Sequence, residues 1–220
     1  MQITIDITDS IAVIGMDDGK KNAIDFAAID NLNTAMDEAD MKASAIVLAG
    51  RSGSFCAGFN LAIMTGDDQE APRALGLAGG AFATRLFSTG KPIIAACTGH
   101  AFTIGAFWLL ACDTRIGERG PYKFGLTETA MGVGMPEWGI ELLQARINPT
   151  MFVPIVAQSE IYNPEGALLA GFVDELVAEG EALNSATECA NKLAALPAEA
   201  YATNKLMTRT ERLARMRNSL

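Results

Sequence analysis

The chain has 220 residues, half of them apolar, and a formal net charge of −9 with an isoelectric point near 4.6. A chain of this length buries roughly 70–75% of its unfolded surface, so it can form one large core. The negative charge argues against binding to nucleic acid or to an anionic membrane surface, and no apolar run has the length of a membrane span. The four cysteines form no Cys-x-x-Cys pair and there is one histidine, so neither a disulfide framework nor a metal set is predicted. With no secretory signal pattern at the N-terminus, we expect a reducing, cytoplasmic setting.

The first half of the chain alternates between strand and helix patterns. "QITIDIT" and "IAVIGM" indicate paired strands, and apolar residues at helical spacing predict a helix over 25–39. "SAIVLAG" is typical of a buried strand, whereas "RSGSFCAGFN" is predicted to be a glycine-rich loop. A second helix is predicted over 72–88, and "KPIIAAC" then indicates another buried strand.

The second half becomes mainly helical. "TGHAFTIG" is predicted to be a loop, "AFWLLAC" an apolar helix, and "DTRIG" and "PYKFG" short strands. "NPEGALLAG" predicts a helix that starts after Asn163 and stops at Gly171. "FVDELV" then indicates a strand, and two helices are predicted to finish the chain. The pattern predicts an α/β core over residues 1–160 and a mostly helical region over 161–220 that packs on the core and on neighbouring subunits.

Two segments, "SFCAGFNL" and "TGHAFTIGAFWLLACD", lead from a strand through small residues into a helix. Free backbone N–H groups at a helix N-terminus suit an anion, and two such segments could together hold one oxyanion. The alternative is that the glycines only turn corners. A phosphate-binding loop at "GVGMPEWG" is excluded, because no strand precedes it and Pro136 interrupts it.

In this order, "SGSFCAGFNL", "KPIIAACTGHAFTIGAFWLLACDTRIG" and "FGLTETAMGVGMP", followed by "GALLAGFVDELV" and "ATNKLM", resemble the crotonase (enoyl-CoA hydratase/isomerase) superfamily over nearly the whole chain. The resemblance implies a crotonase (ClpP-like) spiral core of ββα units with a C-terminal helical trimerisation region, and thus a homotrimer or hexamer. It also implies an acyl-CoA thioester as substrate. CoA is then part of the substrate, and no separate cofactor and no metal are expected.

The same resemblance implies the residues of the site. The backbone N–H groups of Phe59 and Ile104 would hold the thioester oxygen, although most members have glycine where Ile104 stands. The positions expected to contact substrate or CoA are Ala57, Gly58, Leu61, Gly105, Phe107 and Lys205.

The acids indicate the reaction. The first of the two glutamates used by hydratases of this superfamily is matched by Phe107, and the second by Glu128. Mitochondrial-type 3,2-enoyl-CoA isomerases resemble this chain in having an apolar residue at the first position, so isomerisation with Glu128 as the one proton shuttle is expected. Glu137 is either a second proton carrier or an acid at a helix N-terminus. Two alternatives stay open: a hydratase or other enolate-forming lyase that uses Glu128 with Glu137, and a CoA-thioester-binding homologue without turnover.

Overall fold

The computed structural model describes residues 1–220. It contains these strands: β1 (Gln2–Thr8), β2 (Ile11–Asp17), β3 (Ala23–Ile24), β4 (Ala45–Ala49), β5 (Gly53–Cys56), β6 (Gly58–Phe59), β7 (Ile93–Cys97), β8 (Gly99–Phe102), β9 (Thr114–Glu118), β10 (Phe124–Gly125) and β11 (Glu175–Val177). It contains these α-helices: α1 (Phe26–Lys42), α2 (Leu61–Met64), α3 (Ala71–Ser88), α4 (Ile104–Ala111), α5 (Glu137–Arg146), α6 (Phe152–Val156), α7 (Pro164–Ala170), α8 (Ala182–Ala194), α9 (Ala198–Met207) and α10 (Thr210–Asn218). Two 3₁₀ turns lie at Thr129–Met131 and Pro149–Met151. None of the helices combines the length and the apolar character that crossing a membrane requires.

A six-stranded sheet in the order β1-β2-β4-β7-β9-β11 forms the main layer, and only its β1–β2 pair is antiparallel. The β1–β2 hairpin turns at Asp9 and Ser10, which both have positive φ as a tight two-residue turn requires. Strands β4 and β7 are buried at every position, because helices cover both faces of the parallel part of the sheet. These strands and the helices α1 and α3 confirm the predictions for the first half of the chain.

The prediction that "RSGSFCAGFN" and "TGHAFTIG" are loops is wrong in part. The first contains the short strands β5 and β6, and the second contains β8. Strands β5 and β8 pair in parallel, and β6 pairs in parallel with β3. These pairings join distant parts of the chain, so no local alternation of apolar and polar residues predicts the strands. Close approach of the backbones depends on glycine: a Cβ on Gly99 would lie 2.0 Å from the carbonyl carbon of Gly53. The buried Asn22 side chain adds hydrogen bonds to the carbonyls of Ser54 and Phe55 at 3.3 and 3.1 Å.

The C-terminal region ends in three helices, α8, α9 and α10, and not in the two that were predicted. Strand β11 pairs with β9 and completes the six-stranded sheet, while α8 buries Ala182, Ala186 and Ala190 against it. Pro197 is the N-cap of α9, and proline disrupts the interior of a helix. The apolar pattern on either side of it therefore forms separate helices, α8 and α9. The residues after 160 therefore contribute to the core, and their predicted contact with neighbouring subunits stays a prediction.

Candidate active site

A second, three-stranded parallel sheet in the order β10-β8-β5 brings three chain segments to one edge. The carboxyl ends of parallel strands face the same way, so the segments after Cys56, Phe102 and Gly125 converge there. The Thr103 N–H donates to the Gly125 carbonyl at 3.1 Å and ties two of these segments together. The three segments carry the two predicted amide donors and the predicted acid.

The predicted donor Phe59 belongs to β6. Its neighbour Asn60 donates its N–H to the Ile24 carbonyl at 2.8 Å. Because successive N–H groups of a strand point to opposite sides, the Phe59 N–H is directed away from β3. The N–H of Ile104 is the first of α4, where no intrahelical acceptor exists. Both amides thus lie outside the hydrogen-bond ladders of these elements.

Helix α3 holds the two donor residues side by side. A Cβ on Gly79 would lie 2.8 Å from Cζ of Phe59 and 2.9 Å from Cδ1 of Ile104. The indole Nε1 of Trp108 donates to the Gly79 carbonyl at 3.0 Å and fixes α3 on α4. The shared contact with one glycine makes the side chains of Phe59 and Ile104 neighbours, and both residues line one cavity.

The backbone strain at this edge falls on Thr103 and not on Ile104. Thr103 has φ +45° and ψ −119°, whereas Ile104 is already helical. A β-branched side chain is therefore tolerated at Ile104, where most members of the superfamily have glycine. At Thr103 the conformation costs of order 1–3 kcal/mol, and such residues concentrate at functional sites.

The Glu128 carboxyl follows β10 and enters the space in front of these residues. Its Oε2 is the one buried side-chain oxygen or nitrogen in the protein without a hydrogen-bond partner. Burial raises the pKa of Glu128 to about 7, although the backbone N–H groups of Glu128 and Thr127 act to lower it. An unpaired buried polar atom costs about 1–3 kcal/mol, and its retention indicates a functional site. A carboxyl that titrates near neutral pH can both accept and return a proton.

Phe107, which stands where hydratases of the superfamily have their first glutamate, is also surrounded by apolar groups in the structure. Phe107 is 2% exposed, and its ring meets that of Trp138 edge to face with centroids 4.9 Å apart. Gly139 lies directly against the Phe107 ring, where a Cβ on this glycine would be 2.7 Å from Cε1. Glu137 begins α5 and is exposed, and it borders the same space as Glu128. The structure therefore brings both glutamates to one cavity, and Glu137 is at the same time an acid in the first turn of a helix.

This cavity has a volume of about 780 Å³ and a mainly apolar lining, within the range of small-molecule sites. Of the predicted contact residues, Ala57, Leu61 and Phe107 line it. Two exposed cations, Lys21 and Arg73, also line it and have no ion-pair partner in the chain.

Gly58 and Gly105 were predicted to contact the substrate, but neither lines the cavity. They lie behind it, where they allow close packing. A Cβ on Gly105 would be 2.6 Å from the carbonyl oxygen of Cys56, and one on Gly58 would be 2.3 Å from Oγ1 of Thr103. Within the chain these glycines allow close packing of the segments that carry the site, and their contact with the substrate stays a prediction.

Lys205, predicted to contact CoA, lies away from the cavity. Its buried ammonium donates to Asp113 at 2.6 Å and to the carbonyl of Lys91 at 2.7 Å. Arg209 binds the other oxygen of the same carboxylate at 2.6 Å. Within this chain Lys205 therefore belongs to a buried ion cluster that fastens α9 and α10 to the segment after α4, and the predicted contact with CoA is not supported by this placement.

Sequence reasoning missed Thr103, Gly79 and Arg73. Nothing in the local pattern marks them, since each reaches the site through backbone geometry or through a contact with a distant element. No group of three or more His, Cys, Asp or Glu side chains is placed to hold a metal ion.

The architecture is of the crotonase class, with ββα units around a parallel sheet whose edge carries the candidate site. The family model described as "Enoyl-CoA hydratase/isomerase" matches residues 6–218, so the chain belongs to that family and is a crotonase-type acyl-CoA enzyme. A carnitinyl-CoA dehydratase of Salmonella arizonae is 33% identical over 92% of this chain and 78% of its own length. The crystal structure of the enoyl-CoA hydratase EchA3 of Mycobacterium ulcerans is similar with a TM-score of 0.95 and 34% identity, over 99% of this chain and 95% of that one. A Mycobacterium tuberculosis protein, named an enoyl-CoA isomerase with one of its structures and a probable enoyl-CoA hydratase with another, is similar with TM-scores of 0.93 and 0.94 and 34% identity, over 99% of this chain.

Proposed function

We propose that the protein converts 3-enoyl-CoA thioesters into 2-enoyl-CoA thioesters. In this reaction the Glu128 carboxylate removes a proton from C2, and the electron pair moves into the thioester carbonyl to give an enolate. The same carboxyl then returns the proton to C4, and the double bond moves to the 2-position. The N–H groups of Phe59 and Ile104 would hold the enolate oxygen, each contributing about 3–4 kcal/mol to its stabilisation.

The observation that carries the proposal is the unpartnered, buried Oε2 of Glu128 in the cavity that Phe59 and Ile104 also line. A solvated carboxylate is too weak a base for a carbon acid, whereas burial makes the Glu128 carboxylate more basic. Phe107 removes the second acid that ordinary hydration needs and leaves an apolar wall against the acyl chain. One carboxyl and an apolar cavity suit a reaction that moves a proton and excludes water.

The test uses a 3-enoyl-CoA as substrate and follows conjugation of the double bond by ultraviolet absorbance. We expect turnover by the wild type and a loss of about 10²–10⁴-fold in kcat for Glu128→Gln, because the amide cannot carry the proton. Glu188→Gln, on the exposed face of α8, is the matched control and should keep the wild-type rate. Equal rates for the wild type and Glu128→Gln would refute the proposal.

A second candidate is hydration or another lyase reaction with Glu137 as the second acid. It is favoured by the position of Glu137 on the same cavity and by the relatives named carnitinyl-CoA dehydratase. Loss of absorbance from a 2-enoyl-CoA, abolished by Glu137→Gln, would support it. If neither substrate turns over but both raise the melting temperature, the chain is a thioester-binding homologue.

We also propose the trimeric or hexameric assembly implied by the resemblance. Leu196 and Met207 in the C-terminal region are 47% and 72% exposed, and an interface would cover such apolar side chains. Size-exclusion chromatography with multi-angle light scattering measures the molar mass of the protein in solution. A monomer at micromolar concentration would contradict this assembly.

A further inference from the structure

The indole N–H of Trp138 has no hydrogen-bond partner in the protein. The chain has two tryptophans, and Nε1 of the fully buried Trp108 donates to the carbonyl of Gly79 at 3.0 Å. Nε1 of Trp138 makes no such bond, although only 3% of this residue is exposed. A buried indole N–H usually finds a partner. The free donor of Trp138 therefore suits a partner that comes from outside the chain.

This donor is open to the cavity of the candidate site. Oε2 of Glu128 is the one side-chain oxygen or nitrogen that is both closed off from solvent and without a partner. The unpartnered Nε1 of Trp138 is therefore accessible, and the open space that Trp138 borders is this cavity. A Cβ on Gly80 would lie 2.4 Å from Nε1, so the N–H edge of the indole lies against α3. The Gly80 carbonyl already accepts the hydroxyl of Thr84 at 2.9 Å.

Two sets of contacts place the indole relative to Ile104. On α3, Gly79 contacts the Ile104 side chain and the next residue, Gly80, contacts the indole; consecutive Cα atoms are about 3.8 Å apart. On α4, Phe107 lies roughly 5 Å, nearly one turn, beyond Ile104. The Phe107 ring centroid is 4.9 Å from that of Trp138. The indole therefore lies past the Phe107 wall, level with acyl carbons beyond those that react.

Ser219 supplies an acceptor on the same cavity. Its hydroxyl donates to the Met216 carbonyl at 2.9 Å, which leaves the lone pairs of Oγ free. The next residue, Leu220, contacts Gly80 as the Trp138 indole does, since a Cβ on this glycine would lie 2.9 Å from Cδ2 of Leu220. A ligand hydroxyl can accept from the indole N–H and donate to Oγ of Ser219, whereas an oxo group can only accept. A plain hydrocarbon chain can do neither.

We propose that Trp138 determines specificity for acyl groups that carry a hydroxyl beyond C4. The hydroxyl accepts a hydrogen bond from the Trp138 indole and donates one to Ser219, while the methylene groups on either side contact the mainly apolar lining. The inference rests on the proposed function, because it takes a CoA thioester bound at the amides of Phe59 and Ile104 as the ligand. It names the class of acyl group and adds no step to the reaction.

The test measures binding of saturated acyl-CoA thioesters of one chain length by calorimetry. One is unsubstituted, and the others carry a hydroxyl at successive carbons from C5 to C8. The wild type should bind at least one hydroxylated thioester about 5–10-fold more tightly than the unsubstituted one. Trp138→Phe keeps an aromatic ring but lacks the N–H, so it should lose this preference, because an unpaired hydroxyl is costly to bury. Trp108→Phe is the matched control: it removes a structural hydrogen bond and should lower the melting temperature but keep the preference.

Proton–nitrogen NMR spectra of the wild type give a second readout, because the chain has two indole N–H groups. The Trp108 signal is recognised by its slow hydrogen exchange and should stay in place, while the Trp138 signal should move downfield with the preferred thioester.

The proposal is overturned if the wild type has no preference for any hydroxylated thioester, or if folded Trp138→Phe keeps the preference. Should Trp138→Phe fail to fold, the shift of the Trp138 signal decides the question, and its absence overturns the proposal. Saturated thioesters have no double bond to move, so the result does not depend on turnover. A protein that shows the preference but does not isomerise a 3-enoyl-CoA fails only the proposed function, and one that isomerises without the preference fails only this inference.

Discussion

Replacing Glu128 with glutamine should stabilise the fold at alkaline pH while it removes the proton carrier. Folding raises the pKa of this carboxyl from 4.5 to about 7, chiefly because burial disfavours its charged form. Between these values the unfolded chain binds fewer protons than the folded one, so this group makes stability fall as pH rises and has its full cost above about pH 7. Glutamine is neutral at every pH and does not have this cost.

The magnitude follows from the shift. Each pH unit between the two pKa values is worth about 1.4 kcal/mol, so the cost of Glu128 grows by about 2 kcal/mol between pH 5.5 and pH 8. For a protein of this size, 1 kcal/mol corresponds to about 2–4 °C in melting temperature. Relative to the wild type, Glu128→Gln should therefore gain about 4–8 °C more at pH 8 than at pH 5.5.

Thermal unfolding followed by circular dichroism at the two pH values measures this difference. Glu137→Gln, which removes an exposed acid on the same cavity, is the control for the loss of one carboxylate. If the change in melting temperature caused by Glu128→Gln is the same at both pH values, the carboxyl is hydrated in the folded protein. The reasoning that burial makes it basic would then be refuted.

Three further substitutions test how the site is built. Gly79→Ala should destabilise by about 1–3 kcal/mol and lower kcat/KM, because the new methyl group displaces the side chains of Phe59 and Ile104; unchanged kinetics would show that α3 does not position the donors. Lys205→Met should lower the free energy of unfolding by about 1.5–3 kcal/mol with little change in KM, because Asp113 loses one charged hydrogen bond but keeps that of Arg209; a selective rise in KM would restore its predicted contact with CoA. Thr103→Gly should raise stability by about 1 kcal/mol in urea unfolding, because glycine adopts this backbone without strain; a loss of stability would mean that the side chain contributes more than the strain costs.

Hydrophobic periodicity predicted the main layer of the fold well. The apolar spacing in α1 and the unbroken apolar runs of β4 and β7 are local signals, and each was assigned from its own residues. The short strands β5 and β8 escaped this reasoning, because they are stabilised by parallel pairing with each other across more than forty residues of chain. Glycines that look like turn residues there serve close contact between backbones.

For the candidate site, the sequence determined which residue types are present. Glu128 is an acid in an otherwise apolar segment, Phe107 carries no proton, and the segments around Phe59 and Ile104 end strands with small residues. What only the tertiary structure decided is the state of these groups. Desolvation, which makes the Glu128 carboxyl basic, depends on walls from several elements. The positive φ of Thr103 and the ion cluster around Lys205 likewise arise from contacts between segments far apart in the chain, because burial and strain belong to the packed molecule and not to any one stretch of it.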